Sequence, residues 1–325
     1  MRRPALALIV TLAAAAALLA CKHEPTRSAP AVGSQPGSGS GPAASVDDPW
    51  AVKGAAAPVI ARPMFWAASK DGHTTYLLGT IHLGINADTQ LPPWVKARLD
   101  AAPTFAMEAN LAEPGLMAAL NRSDGGSLRL DLGPEHWAKL EAAVGADMAK
   151  GVDKMKPFAV MSLLEAKFLP TTLPMDSVLE TRAKSAGKKI VYLESAMRQL
   201  EIIEPFMTAA DVKAFLDHLD YARAQSALML DAYQRGDDVT LGKQFDDQTL
   251  WIAAGREPAL FAGFVKALLA DRNATWIPQI EAMTAAGGGF VAVGAGHLVG
   301  PGNVLAMLTE RGFTITRATA DTGAP

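Results

Sequence analysis

Thr75-Tyr-Leu-Leu-Gly79-Thr-Ile-His82 and Phe290-Val-Ala-Val-Gly294-Ala-Gly-His297 lie more than two hundred residues apart and share one design. Each is an apolar β-type run that ends in Gly-x-x-His. A strand that stops at glycine lets the backbone turn sharply. It then delivers an imidazole just past the strand's carboxyl end, where open α/β sheets place their ligands. Two such elements in one chain point to paired histidines facing one site.

Further strand-like runs occur at Met64–Ala68, Thr104–Met107, Lys189–Leu193 and Phe313–Arg317, with Asp71-Gly72 as a hairpin signal after the first. The remaining runs are separated by helix-type sequence. Asp176 to Ala186 reads as a helix closed by Gly187 and followed by a strand, and Pro301 to Arg311 reads as a helix closed by Gly312. Helix–Gly–strand units of this kind predict an α/β fold with a largely parallel central sheet and flanking helices. Between about 112 and 175, and between about 197 and 286, the pattern is helical, which predicts large helical insertions. Pro134–Val144 carries Trp137, Leu140 and Val144 at helical spacing, and Ala209 to Arg235 continues in one register through Val212, Phe215, Leu219, Ala222 and Leu228. The α/β domain is expected over 59–319, with a short tail at 320–325.

The chain before that domain is of another kind. Met-Arg-Arg, an apolar stretch from Ala5 to Ala20 and then Cys21 read as a secretory signal over 1–20. Leu18-Leu19-Ala20-Cys21 also resembles a bacterial lipobox, whose cysteine is lipidated after cleavage. Cys21 is the only cysteine among 325 residues, so it has no internal disulfide partner. Lys22 in place of aspartate favours the outer membrane by analogy with proteobacterial lipoproteins. Residues 21–58 are rich in Gly, Ser, Pro and Ala, including Gly33-Ser-Gln-Pro-Gly-Ser-Gly-Ser-Gly-Pro42. Such a composition buries too little apolar surface to offset ordering entropy and predicts a disordered tether spanning roughly 30 Å. The expected location is the cell envelope, on its periplasmic or extracellular face, with the membrane reached through the lipid anchor alone.

Composition narrows the function. Half of the residues are hydrophobic and 19% are charged, enough for one large core, and the net charge is −3. No basic stripe or Arg/Lys cluster marks a nucleic-acid partner. The oligomeric state is left open. His-Glu-x-x-His is absent, no Gly-x-Ser-x-Gly follows a strand, and no cysteine of the domain can act as a nucleophile. Gly294-Ala-Gly296-His-Leu-Val-Gly300 imitates a dinucleotide loop, but its third glycine comes one residue late and the chain ends too soon for the rest of a nucleotide-binding half.

Two carboxylates share the histidines' topological position: Glu108 follows one strand and Glu194 another. On parallel strands, His82, Glu108, Glu194 and His297 all emerge on one rim. Imidazole plus carboxylate suits a first-row divalent ion, which would lower the pKa of a bound water and polarise a scissile carbonyl. A carboxylate outside the ligand set could act as general base or hold a histidine from behind. Each residue also has a structural role open to it. A histidine after a strand can be a turn residue, and Glu108 or Glu194 can cap the helix that follows. His23 falls in the tether, His73 in a turn, and His136 and His218 on solvated helix faces.

These residues resemble the TraB/GumN family, related to the TIKI metalloproteases and more distantly to the erythromycin-esterase and ChaN-like folds. The resemblance runs from about Pro63 to Arg317. It rests on Tyr76-Leu-Leu-Gly-Thr-Ile-His-Leu-Gly84, Met107-Glu-Ala-Asn110, Leu132-Gly-Pro-Glu-His-Trp-Ala-Lys-Leu140 and Met155-Lys-Pro-Phe158. It continues through Asp176, Ala186-Gly-Lys188, Leu193-Glu-Ser195, Asp271-Arg-Asn-Ala-Thr-Trp276 and Val293-Gly-Ala-Gly-His-Leu298. The resemblance implies metal-dependent hydrolysis of a peptide or small-molecule substrate, with His82, Glu108 and His297 as metal and catalytic residues. Arg272 would orient a carboxylate or stabilise an oxyanion, and Mn, Co and Zn are the ions to consider. Asn110, Glu194 and Asn273 fall on family motif positions, with Gly79, Gly294 and Gly296 shaping the two turns. Ser195 stands where threonine is usual, and Met175 where glycine usually precedes the aspartate. The ChaN-like relatives imply a different function for the same rim: a non-catalytic lipoprotein that holds a metal, haem or small ligand.

Overall fold

The computed structural model describes residues 58–321, so the expectations for residues 1–57, a signal, a lipidated Cys21 and a tether, and the last four residues lie outside the described part. Six strands form one sheet: β1 (Phe65–Lys70), β2 (His73–Thr80), β3 (Thr104–Met107), β4 (Lys189–Tyr192), β5 (Gly289–Gly294) and β6 (Thr314–Arg317), in the order β4-β3-β5-β2-β1-β6. β2, β5, β3 and β4 run parallel, while β1 is antiparallel to both β2 and β6. The β1–β2 hairpin turns at Asp71 and Gly72, both with positive φ (51° and 80°), as a type I′ turn requires. The fold is the α/β architecture the sequence predicts.

β5 shows why the sheet is parallel at its centre. All six of its residues are buried, and apolar side chains alternate to both faces. A strand covered on both faces reads as a continuous apolar run. Phe290 lies between Phe65 and Phe105, with ring centroids 5.4 and 6.2 Å away. The helices that matter to the rim are α1 (Met175–Ser185), α2 (Ala196–Ile203), α3 (Leu219–Arg235), α4 (Asp238–Lys243), α5 (Ala270–Ala285) and the single turn α6 (Gly296–Val299). α1 leads into β4 and α5 into β5. A helix that returns the chain to a parallel strand runs against the strands, so its first turn sits at their carboxyl ends.

The buried apolar residues form two clusters. One packs on the sheet and takes in Tyr233, Leu241, Trp276 and Ile280. The other is a helical layer built from residues between Ala109 and Leu269, with Phe158, Phe215, Trp251 and Phe264 near its centre. The helical stretches at about 112–175 and 197–286 supply this layer, but α5 and part of α3 pack on the sheet itself.

Several boundaries differ from the sequence reading for local reasons. The stretch 209–235 is two helices, Ala209–Asp217 and α3, because His218 (φ −124°, ψ 34°) leaves the helical region. The helix before β6 begins at Val304, where the Asn303 side chain accepts from Ala306 N. The helix containing Trp137 begins at Leu128 and kinks at Gly133 ahead of Pro134. Among the described residues no helix is long and apolar enough to cross a membrane.

Phe290 is fully buried at the centre of the sheet, so Phe290→Ala should cost about 3–5 kcal/mol of unfolding free energy. Urea titration followed by circular dichroism measures this, and a loss below about 1 kcal/mol would contradict the central packing described for this ring.

Candidate functional site

The four parallel strands end on one rim, and register carries the two histidines to it. Thr80 pairs with Gly294, and Ala295 N donates to Thr80 O at 2.7 Å, so β2 and β5 are tied together just before His82 and His297. β3 and β4 are tied the same way: Leu193 N donates to Met107 O and Glu194 N to Glu108 O, each at 2.9 Å. His82, Glu108, Glu194 and His297 therefore emerge side by side, all with side chains almost completely enclosed.

Gly294 is where three of them meet. A methyl on this residue would stand 3.1 Å from Glu108 Oε1, 3.3 Å from His82 Nε2 and 3.6 Å from His297 Cδ2. The other two glycines of the motifs are fixed by close approach as well. A Cβ at Gly79 would lie 3.0 Å from Ala295 Cα, and one at Gly296 only 2.4 Å from the Phe245 ring. Each side chain of the motif segments needs this room.

The histidines are held from behind. His82 Nδ1 donates to Asp176 Oδ2 at 2.5 Å, and Asp176 Oδ1 accepts from Thr80 Oγ1 at 2.8 Å. His297 Nδ1 donates to Asn273 Oδ1 at 2.6 Å. Both rings thus carry a hydrogen on Nδ1 and turn Nε2 toward Glu108. His297 Nε2 accepts from Arg272 Nη1 at 3.1 Å and lies 3.6 Å from Glu108 Oε1. His82 Nε2 is buried with no hydrogen-bond partner among the described residues.

Arg272 ties the carboxylates together. Its Nη2 donates to Glu108 Oε2 at 2.7 Å and to Glu194 Oε1 at 2.5 Å, and its Nε donates to Glu194 Oε1 at 2.9 Å. Gln199 Nε2 donates to the same two carboxylates at 3.0 and 2.9 Å. The Glu108 Oε1 oxygen accepts from Gly294 N at 2.6 Å. Trp276 covers the cluster, its ring 4.5 Å from the His297 ring centroid and 5.1 Å from the Arg272 guanidinium carbon.

Burial opposes every charge in this cluster, and neighbours decide the outcome. For Glu108 the electrostatic interactions with His297, Arg272 and His82, with the Gly294 N–H, outweigh desolvation and hold the carboxyl well below the usual carboxylate range. For His82 desolvation is outweighed by the charge and hydrogen bond of Asp176 and the charge of Glu108, so its pKa is raised. For His297 desolvation prevails over Glu108 and lowers the pKa to about 3. The hydrogen bonds agree with a neutral His297, since its Nε2 must accept from a guanidinium that can only donate. Of the three enclosed carboxylates, Glu108 and Glu194 pair with Arg272, and Asp176 pairs with His82.

Most of the sequence-derived residues gather here: His82, Glu108, Glu194, Arg272, Asn273 and His297, around Gly79, Gly294 and Gly296. Asn110 stands apart, its side chain accepting from Ala112 N at 2.9 Å in a local turn. Neither glutamate is a helix cap: Gly115 stands at the cap of the helical turn that follows Glu108, and Ser195 caps α2 by accepting from Arg198 N. Ser195 also donates to Glu113 Oε1, so serine keeps the capping role at the position where threonine is usual. Met175, in the usual glycine position, bonds through its N–H to His82 O and lies 3.5 Å, at Sδ, from the Tyr233 hydroxyl that donates to Gly79 O. The residues missed are Asp176, Thr80 and Gln199. Asp176 had a readable signal, an acidic residue in the first turn of a helix leading to a parallel strand, where that turn must reach the rim. Of the remaining histidines, His136 pairs with Asp217 at the surface, while His73 and His218 are exposed.

Among the described residues no three His, Cys, Asp or Glu side chains stand already spaced to hold a metal ion. The arrangement presents an ionised carboxylate between two inward-facing imidazole nitrogens, one unpaired and one engaged by a guanidinium.

The two histidines give opposite pH dependences. The unfolded chain protonates His297 near 6.5, whereas the folded protein keeps it neutral down to about 3. Folding excludes that proton, so this residue removes stability as pH falls from 6.5 toward 3. His82, with its raised value, contributes stability that is full below 6.5 and lost as pH rises through its folded pKa. In chelator-treated protein His297→Gln should therefore flatten the acid-side loss of stability. Urea midpoints at about pH 7 and about pH 5 check this, and an unchanged difference between the two would refute a buried neutral His297.

With this geometry in place, comparison with known proteins gives one assignment. A search of curated proteins found no match, and neither did a search of solved structures. The profile of the TraB/PrgY/gumN family matches residues 64–317, which spans all six strands and every member of the rim cluster. The chain belongs to the TraB/PrgY/gumN family.

Proposed function

We propose that this protein is an extracytoplasmic metal-dependent hydrolase, acting on a peptide or another small carbonyl substrate, with its site at the His82–Glu108–His297 cluster. The observation that carries this reading is the pair of Nδ1-anchored imidazoles aimed at one carboxylate, with His82 Nε2 buried and unpaired. A metal-ligating histidine characteristically gives its other N–H to a carboxylate or carbonyl, which fixes its tautomer. Asp176 and Asn273 do that here. The donor set thus fits a divalent ion in identity and orientation, while its present spacing is held by Arg272. When bound, such an ion supplies Lewis acidity toward a carbonyl or a water.

His82 Nε2, His297 Nε2 and Glu108 Oε1 would hold the ion, with Mn, Co and Zn as the ions in view. For His297 to contribute, Arg272 Nη1 must release its Nε2, and the bonds from Nη2 and Nε to Glu194 keep the guanidinium at the rim when it does. There it can neutralise charge that develops on a substrate oxygen. Glu194 and Gln199 keep Arg272 and Glu108 in fixed relation. The second reading is a non-catalytic lipoprotein that binds a metal, haem or small ligand at this rim. It is favoured by one feature, the guanidinium already seated on His297 Nε2.

We also place the protein at the cell envelope, held through a lipid on Cys21 with the outer membrane favoured. Cys21→Ser should leave the body folded and release it from membranes, because residue 21 precedes the domain. Persistence in the membrane fraction after a high-salt wash would refute the anchor.

Metal analysis of full-length protein, followed by peptide and ester hydrolysis with and without chelator, tests the enzyme reading. His82→Ala and His297→Ala should abolish both bound metal and hydrolysis, and Glu108→Gln should abolish hydrolysis at least 100-fold. Full activity in all three variants would refute the site. Metal or ligand binding by wild type with no hydrolysis across the panel would select the binding protein instead.

A further inference from the structure

A guanidinium carries five N–H donors in a fixed fork. At Arg272 every one of them is used. Nε donates to Glu194 Oε1 at 2.9 Å, and Nη2 donates to Glu194 Oε1 at 2.5 Å and to Glu108 Oε2 at 2.7 Å. Nη1 donates to Leu268 O at 3.0 Å and to His297 Nε2 at 3.1 Å. The side chain is almost fully enclosed, with the Trp276 ring 5.1 Å from the guanidinium carbon. Two of the acceptors, Glu108 and His297, belong to the donor set of the proposed metal site.

That donor set is therefore split in two. His82 Nε2 has no partner among the described residues, and Glu108 Oε1 accepts one hydrogen bond, from Gly294 N. Both atoms face one point, since a methyl on Gly294 would lie 3.1 Å from Oε1 and 3.3 Å from His82 Nε2. This half is open. In the other half His297 Nε2 is held by Nη1, and Glu108 Oε2 is held by Nη2 and by Gln199 Nε2. His297 cannot turn its Nε2 elsewhere without breaking the bond from Nδ1 to Asn273 Oδ1. A neutral imidazole has one lone pair on that nitrogen, so it serves the guanidinium or an ion, never both.

We propose that Arg272 is a resident cation that competes with the divalent ion for His297, so that metal is taken up by exchange against one guanidinium N–H. This rests on the hydrolase reading and adds a control on metal loading. The His82–Glu108 Oε1 half is ready, and His297 joins only when Nη1 lets go. Exchange moves one N–H and not the whole side chain, because Leu268 O still holds Nη1 and Glu194 holds Nε and Nη2. It leaves an enclosed, charged donor without its acceptor, a penalty that is set against binding of the ion. The affinity for metal is then governed by Arg272 as much as by the ligands themselves.

Arg272→Lys tests this, because lysine keeps a positive charge beside Glu108 and Glu194 but lacks the fork that also reaches His297. The probe is Co²⁺ alone, titrated calorimetrically into full-length, chelator-treated protein, with circular dichroism to verify folding. Arg272→Lys should bind Co²⁺ about tenfold or more tightly than wild type. Equal or weaker binding by the folded variant would overturn the exchange and make Arg272 a support of the site. If the variant does not fold, stopped-flow absorbance of Co²⁺ with wild type decides. Exchange requires a second, slower change as His297 joins, at a rate that does not rise with Co²⁺ concentration. A single phase whose rate rises in proportion to Co²⁺ would overturn it. Hydrolysis is scored separately. Wild type that loads metal and hydrolyses, with no gain of affinity in Arg272→Lys, refutes the exchange and leaves the hydrolase reading intact. Tighter Co²⁺ in Arg272→Lys, with no hydrolysis by loaded wild type, does the reverse. No Co²⁺ binding by either protein refutes both.

Discussion

Glu108 is a carboxylate kept ionised inside the protein, and the rest of the rim is arranged around that fact. An enclosed charge without partners is costly enough that a carboxyl group would take up a proton instead. Here Gly294 N–H, Gln199 and Arg272 supply hydrogen bonds to its two oxygens. Arg272 needs compensation in turn, which Glu194 provides through two contacts from the guanidinium. The chain of dependence then runs outward to the histidines. His297 stays neutral because burial and the nearby guanidinium outweigh Glu108, and His82 favours a positive charge because Asp176 sits directly behind it.

The sheet makes such a cluster possible by bringing distant segments to one edge. β2, β5, β3 and β4 end together, and backbone hydrogen bonds extend the pairing past the strands to the residues that carry the chemistry. The glycines of the two motifs are sites of close approach. At Gly294 a side chain would displace the atoms of three functional residues, and at Gly296 it would meet the ring that joins the helical layer to the sheet. Packing and chemistry are coupled at these two positions.

The same coupling explains what the helices contribute. α1 and α5 cover the sheet with apolar residues such as Leu179, Ile277 and Ile280, but their first turns reach the rim and carry Asp176, Arg272 and Asn273. One helix thus supplies both core and site, the division set by distance along it. Phe245 of the helical layer packs its ring on Gly296 beside His297, and such enclosure gives the electrostatic interactions of the rim their strength.

Much of this was legible in the sequence alone. Apolar runs ending in Gly-x-x-His, helices closed by glycine before the next strand, and glutamates directly after strands determined a parallel sheet with His82, Glu108, Glu194 and His297 on one rim. These are local signals, and parallel pairing turns them into shared position. What only the tertiary structure decided is how the side chains pair across that rim. Asp176 lies 94 residues from His82, and Gln199 lies 91 from Glu108, so no local pattern links them. Asn110 shows the converse, because it shares a motif with Glu108 but turns into a local loop. The protonation of the histidines belongs to the fold as well. Both sit in the same kind of sequence element, and burial beside Asp176 or beside Arg272 sends their pKa values in opposite directions.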